Sequence, residues 1–276
     1  MDANIDLKKI KLIVFDVDGT LLGSTHQITD KTRSTIQKIK QQNIAITIAT
    51  GRNWSETEDY ARDLAVDGPL ILCNGAVIAT VDGNKIKTRF FPYEVIDRII
   101  QVSEKNSVSL MLFVDDIVYI KHNNRHTPFN FKYALFEAVE IDNWEFLGEK
   151  LHEVQKCMLI ARGVSIDPLA LDVELRAVLS ERIETSHSTY GVIEVMPAGT
   201  SKGNALLEVS QDLGIGLESV MAFGDGNNDI DMLATAGIGV AMANATTHAK
   251  ANADLLVPPV DQNGPAQLLD HLLSSL

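Results

Sequence analysis

Asp16-Val17-Asp18-Gly19-Thr20 sets two carboxylates two residues apart, directly after the largely apolar run Ile10-Lys11-Leu12-Ile13-Val14-Phe15. Alternation along an extended backbone puts Asp16 and Asp18 on one side, with Val17 directed elsewhere and Gly19-Thr20 turning the chain. Paired carboxylates at such a turn suit a hard divalent cation such as Mg²⁺ and acid–base chemistry. A run this rich in Ile, Leu, Val and Phe reads as a buried parallel strand, and ligands bind beyond the carboxyl ends of such strands.

Two further apolar runs end in polar clusters. Ile44–Ala49 leads into Thr50-Gly51-Arg52, and Ser219–Phe223 leads into Gly224-Asp225-Gly226-Asn227-Asn228-Asp229. If the strands are parallel, all three clusters meet at one edge of a sheet. Thr50 offers a hydroxyl donor and Gly51 a close backbone approach, as a phosphate cradle requires. Asn228 has an amide to donate, or caps the helix that follows. Lys202 opens a helical segment, so its ammonium and the helix N-terminus would both favour an anion. Arg52 and Asn74 stand open between substrate contact and structural pairing. The seven histidines are scattered without metal-ligand spacing, and Trp54 and Trp144 read as packing residues. His122-Asn123-Asn124-Arg125-His126-Thr127-Pro128 reads equally as a specificity loop or a solvated loop.

The elements that must position these residues alternate. Strands at 10–15, 44–49 and 70–73 are separated by helical patterns, one capped by Thr29 with Ile28 before it and one from Trp54 to Ala65. The alternation returns with a strand at 219–223, a helix over 228–236, a strand at 238–241 and a last helix over 266–273. Between them, turn signals at Asp82-Gly83-Asn84, Asp115-Asp116 and Gly191 separate strand-like runs, with helical patterns over Tyr93–Lys105 and Pro168–Ser180. The expected fold is α/β, a Rossmann-like doubly wound parallel sheet with an inserted α+β domain. Residues 1–85 and 195–276 form the core in this reading, and 86–194 the insertion.

At 276 residues and 45% hydrophobic composition the chain can bury a substantial core. Its 24 Lys and Arg against 37 Asp and Glu give a formal charge of −13 with no basic block, which argues against nucleic acid as a partner. Cys73 and Cys157 lack CxxC spacing and read as buried apolar residues. With no apolar run near the roughly 18 residues that span a bilayer, the expected setting is soluble, reducing and cytoplasmic, without membrane contact. Protein partners and oligomeric state are not legible.

Taken together, Phe15–Leu22, Thr50-Gly51-Arg52, Lys202-Gly203-Asn204-Ala205-Leu206 and Gly224–Met232 closely resemble the haloacid dehalogenase-like phosphatases, specifically the Cof-type subgroup with a large cap inserted after the second core motif. Asn74-Gly75-Ala76 and Ala243-Asn244-Ala245 are weaker echoes. The resemblance covers essentially the whole chain. It implies that Asp16 is a nucleophile forming an aspartyl-phosphate, and that Asp18 protonates the leaving oxygen and then deprotonates water. It also implies Mg²⁺ held by Asp16, the Asp18 carbonyl and Asp225, supported by Asp229. Val17, Thr50, Gly51, Arg52, Asn74, Lys202 and Asn228 then form the phosphate and substrate contacts. The implied substrate is a small phosphorylated metabolite, such as a sugar phosphate or a phosphorylated cofactor, covered by the cap. A phosphomutase and a phospho-ligand-sensing regulator are the alternatives.

Overall fold

The computed structural model describes residues 5–121, 138–162 and 164–276. Its strands are β1 (Leu12–Phe15), β2 (Ala45–Ile48), β3 (Leu70–Leu72), β4 (Val77–Ala79), β5 (Lys85–Thr88), β6 (Ser109–Val114), β7 (Ile117–Lys121), β8 (Ala138–Ile141), β9 (Val154–Ile160), β10 (Ile183–Thr189), β11 (Val192–Pro197), β12 (Val220–Gly224), β13 (Ile238–Met242) and β14 (Leu255–Val257). The α-helices are α1 (Asp30–Lys40), α2 (Glu58–Asp63), α3 (Tyr93–Lys105), α4 (Pro168–Leu179), α5 (Lys202–Asp212), α6 (Ile230–Thr235), α7 (Thr247–Ala251) and α8 (Gly264–Leu273). The chain divides into two compact units, Met1–Ile86 with Ser201–Leu276, and Lys87–Thr200.

In the first unit every side chain of β1 is buried, as a strand covered on both faces must be. β1 pairs in parallel with β2 on one side and β12 on the other, within a sheet of order β14-β13-β12-β1-β2 whose pairings are all parallel. Phe15 stands opposite Phe223, and their rings stack at 4.9 Å. Strand order departs in opposite directions from β1 and β12, so the switch point of the sheet lies between them. Parallel pairing thereby brings the ends of β1, β2 and β12 to one edge, as expected from the sequence.

Helices flank this sheet. Thr29 caps α1 by accepting the Thr32 N–H at 3.1 Å, and α1 buries the stripe Thr32, Thr35, Ile36 and Ile39. It packs with α8, where Asp270 accepts from the Thr35 hydroxyl at 3.1 Å and from Lys31. α5 packs against α6 so closely that a Cβ on Gly203 would come 2.7 Å from the Asp231 backbone.

Two helices start later than the periodicity predicts. α2 covers only Glu58–Asp63, because Asn53 folds the preceding residues into a turn. Its Oδ1 accepts the Glu56 N–H at 3.1 Å and its carbonyl the Thr57 hydroxyl at 2.7 Å. Residues Asn227–Asp229 form a 3₁₀ turn ahead of α6, tied down by the Asp229 side chain.

The inserted unit is α+β. Its sheet has the order β10-β11-β9-β6-β7-β8, antiparallel except for β7 with β8. Val95, Ile96 and Ile99 of α3 and Leu171, Leu175 and Leu179 of α4 share a core with Leu110, Leu112, Leu159, Ile193 and Val195 from its strands. Within the sheet, Lys156 and Glu194 form a buried ion pair, with the Lys156 ammonium 4.9 Å from the centroid of the Phe113 ring. Cys73 and Cys157 are free and buried, and burial pushes the Cys157 thiol up. Among the described residues no helix is long and apolar enough to cross a membrane.

Candidate active site

The end of β1 delivers Asp16 into an almost closed space, where its side chain is 7% exposed. Its backbone N–H donates to the Phe223 carbonyl at 2.9 Å, so the sheet ladder itself fixes where the carboxylate starts. Lys202, the first residue of α5, is fully buried and donates to Asp16 Oδ1 and to Asp229 Oδ1, each at 2.6 Å. Ser201 starts that helix by accepting the Asn204 N–H at 3.1 Å, which fixes the stem of Lys202. Asp229 is also fully buried. Its other oxygen accepts the N–H groups of Asp225 at 2.9 Å and Gly226 at 2.8 Å. The sequence motif is thus a closed loop in which Asp229 holds the backbone that presents Asp225.

Asp225 is gripped from the opposite side. Thr20 donates its hydroxyl to Oδ1 at 3.4 Å, and Asn244 donates to Oδ2 and to the Gly19 carbonyl, both at 3.1 Å. Gly19 has φ +86°, and a Cβ there would fall 2.2 Å from Asp225 Oδ2, so only glycine lets the turn after β1 come this near. Carboxylate oxygens of Asp16, Asp225 and Asp229 lie within 4.8 Å of one another.

Three carboxylates around one ammonium leave the cluster short of positive charge. Burial, and then repulsion by Asp229, raises Asp16 well above the usual carboxylate range, with Asp225 adding to the rise and Lys202 opposing it. Burial and Asp229 likewise push Asp225 up to about 7. Burial alone would lower Lys202, but Asp16 and Asp229 outweigh it and raise it. This oxygen-only, charge-deficient donor set fits a hard divalent cation.

Asp18 departs from this cluster. Its side chain is 55% exposed, and both its oxygens accept from Arg52, Nε at 2.8 Å and Nη2 at 2.5 Å. Thr50 is buried at the end of β2, and its hydroxyl accepts the Arg52 N–H at 3.2 Å. Gly51 lies between them, partly exposed. The Thr50 carbonyl accepts the Asn74 N–H at 2.9 Å, and Asn74 Oδ1 accepts from Asn228 Nδ2 at 3.0 Å. Asn74 reaches that position through left-handed backbone, as does Cys73 before it, with φ of 54° and 50°. Val17 is fully buried, which leaves only its backbone to face a ligand.

The residues singled out in the sequence therefore form a carboxylate–lysine cluster (Asp16, Lys202, Asp225, Asp229), a side pair (Asp18, Arg52) and a chain of bonds from Thr50 through Asn74 to Asn228. Sequence reading did not place Thr20 or Asn244 in the site. Asn244 carried a signal as part of Ala243-Asn244-Ala245, but its bonding to Asp225 depends on a loop that approaches from after β13. His122–Pro128 lies outside the described residues.

The chain is similar in sequence and in fold to known phosphatases. The chain is 31% identical over 264 residues to an HMP-PP phosphatase of Escherichia coli O6:H1, covering 96% of this chain and 94% of that protein. An HMP-PP phosphatase of Serratia proteamaculans is 28% identical over 270 residues, with 96% of each chain covered. Among solved structures, the phosphatase BT1666 of Bacteroides thetaiotaomicron superposes with a TM-score of 0.85 at 26% identity, covering 96% of both chains. The subclass IIB sugar phosphatase BT4131 superposes with a TM-score of 0.81 at 28% identity, covering 95% of this chain and 98% of that one. The profile of the haloacid dehalogenase-like hydrolases matches residues 13–269, nearly the full chain, and this protein belongs to that family.

Proposed function

We infer that Asp16 is the nucleophile with which this chain, a phosphatase of small phosphorylated metabolites, opens the phosphate ester. The observation that carries this reading is the buried Lys202 shared by Asp16 and Asp229 at 2.6 Å, with Asp225 completing the carboxylate group. A carboxylate oxygen of Asp16 attacks phosphorus, the ester bond breaks, and Asp18 gives a proton to the departing oxygen. Water then attacks the aspartyl-phosphate while Asp18 takes its proton, which restores Asp16 and releases phosphate.

Two anions must meet in the first step, a repulsion on the order of 4 kcal/mol per unit pair at 4 Å and an effective dielectric near 20. Lys202 offsets part of it. Asp16, the Asp18 carbonyl and Asp225 would hold Mg²⁺, with Asp229 supporting Asp225 from behind. When bound, the ion supplies charge neutralisation and orients the phosphoryl oxygens. Thr50, Gly51, the Val17 backbone and Asn228 are assigned to the remaining phosphoryl oxygens, and Asn74 to orienting Asn228. Substrate choice falls to the inserted α+β unit, taken as 86–194, with 1–85 and 195–276 as the catalytic core.

Phosphate release from a panel of phosphorylated metabolites, with and without Mg²⁺, tests this. HMP-PP, for which the Escherichia relative is named, heads the panel, followed by sugar phosphates, pyridoxal phosphate and flavin mononucleotide. Asp16→Asn should abolish release while circular dichroism stays native. Retained turnover in that variant, or hexose phosphate isomers formed without free phosphate, would overturn the reading.

A further inference from the structure

The Asp18–Arg52 pair joins a fixed cation to an exposed anion. Arg52 is 7% exposed, its guanidinium carbon lies 5.3 Å from the centroid of the Tyr60 ring, and Nη1 donates to the Glu56 carbonyl at 3.3 Å. Its own N–H is bonded to Thr50 Oγ1 at 3.2 Å. Asp18 is more than half exposed, and the two Arg52 bonds are what its carboxylate meets in the core unit. A short side chain on a turn, exposed to this degree, would otherwise sample several rotamers.

We propose that Arg52 is a positioning residue for Asp18: its buried planar fork selects the orientation from which the Asp18 carboxyl serves the leaving oxygen. Taken as a phosphate ligand, Arg52 would have to abandon both bonds to Asp18 and leave its seat against Tyr60 and Glu56. A guanidinium pre-set by burial loses little freedom in gripping a carboxylate at two points, and a lysine ammonium cannot reproduce that grip. Misplacing a reacting group by about 1 Å costs up to roughly 100-fold in rate, so a device that fixes Asp18 has kinetic weight.

This inference rests on the assignment of Asp18 as acid–base partner, and the test separates the two. Asp18→Asn, Arg52→Lys and the double variant are assayed on 4-nitrophenyl phosphate, whose leaving group needs little protonation, and on an alkyl phosphate, whose leaving group needs it. The expected result for Arg52→Lys is a kcat lowered roughly 10- to 100-fold on the alkyl ester and less than about 3-fold on the nitrophenyl ester, with KM nearly unchanged. Asp18→Asn should show the same preference more strongly, and the double variant should be no slower than Asp18→Asn. Tyr60→Leu keeps every donor of Arg52 and removes the ring behind it together with the Tyr60 hydroxyl that the guanidinium meets. It should give the same pattern at smaller amplitude, which keeps the test open should Arg52→Lys lose its fold.

A rise in KM shared by both esters, or losses that multiply in the double variant, would make Arg52 a substrate ligand and overturn the proposal. If Asp18→Asn itself shows no dependence on the leaving group, the role of Asp18 fails and this inference falls with it. If only Arg52→Lys and Tyr60→Leu lack that dependence, the inference alone fails.

Discussion

Lys202 reaches Asp16 at 2.6 Å with its whole side chain out of solvent. The same ammonium holds Asp229 at an equal distance, so a single cation separates two buried carboxylates. Lys202→Met leaves them facing each other. Breaking a buried pair in this way costs about 3–5 kcal/mol, readable by urea unfolding at neutral pH. Phosphate release should fall by roughly 10²–10³ or more, since a preorganised positive charge at the phosphoryl site is lost with it. Unfolding within about 1 kcal/mol of the parent would show that the two carboxylates do not depend on this ammonium.

Asp225 and Asp229 sit four residues apart but should respond differently to the same substitution. Asp229 spends both oxygens inside the protein, on Lys202 and on the N–H groups of Asp225 and Gly226. Asn there turns an amide towards at least one of these donors, at a cost of roughly 1–3 kcal/mol in stability. Asp225 also accepts through both oxygens, from Thr20 and Asn244, but Asn there can keep its oxygen on Asn244 and donate to the Thr20 hydroxyl. Asp225→Asn should therefore cost less stability than Asp229→Asn while weakening Mg²⁺ binding by at least about 10-fold. Isothermal titration with Mg²⁺, paired with urea unfolding of both variants, checks the contrast. Equal stability losses in the two would contradict it.

A third expectation concerns acid stability in the inserted unit. Burial tends to raise Asp172 of α4, but His187 Nε2 at 3.4 Å, the Thr185 hydroxyl at 2.6 Å and Arg176 at 3.2 Å hold it down, to about 2. An aspartate in the unfolded chain titrates near ~3.9. Because the folded value is the lower one, the contribution is complete above ~3.9 and is lost as pH falls from there through about 2. Asp172→Asn should therefore be less stable than the parent at neutral pH, and the margin should shrink as pH drops below about 4. Urea titrations across that range read it directly, and a margin independent of pH would show that the clamp does not act on the ionised form.

The fold was legible where composition and spacing left one physical solution. β1, β2 and β12 are largely apolar runs ending in carboxylate, glycine or hydroxyl residues, and a doubly wound sheet brings such ends to one edge. Tyr93–Lys105 forms the helix its period predicts, because nothing local competes with it. Asn53 does compete, through its side chain, and the expected helix from Trp54 begins only at Glu58. Within the site, the residue types were readable but their pairing was not. Asp16 and Asp18 look alike in sequence, yet one is sealed against Lys202 and the other is exposed and bonded to Arg52. That difference arises from packing between segments far apart in the chain, as does the grip of Asn244 on Asp225.

Residues Lys87–Thr200 interrupt the unit that carries the parallel sheet, and this has a consequence for biosynthesis. A ribosome releases β1 and β2 early, but β12, which pairs with the opposite edge of β1, begins only at Val220. Until then β1, apolar throughout, has one bare flank, and Asp16 waits for its ammonium partner. An unfilled edge of that kind invites pairing with a neighbouring polypeptide. Truncation ahead of Val220 should therefore yield aggregates rather than a smaller stable protein.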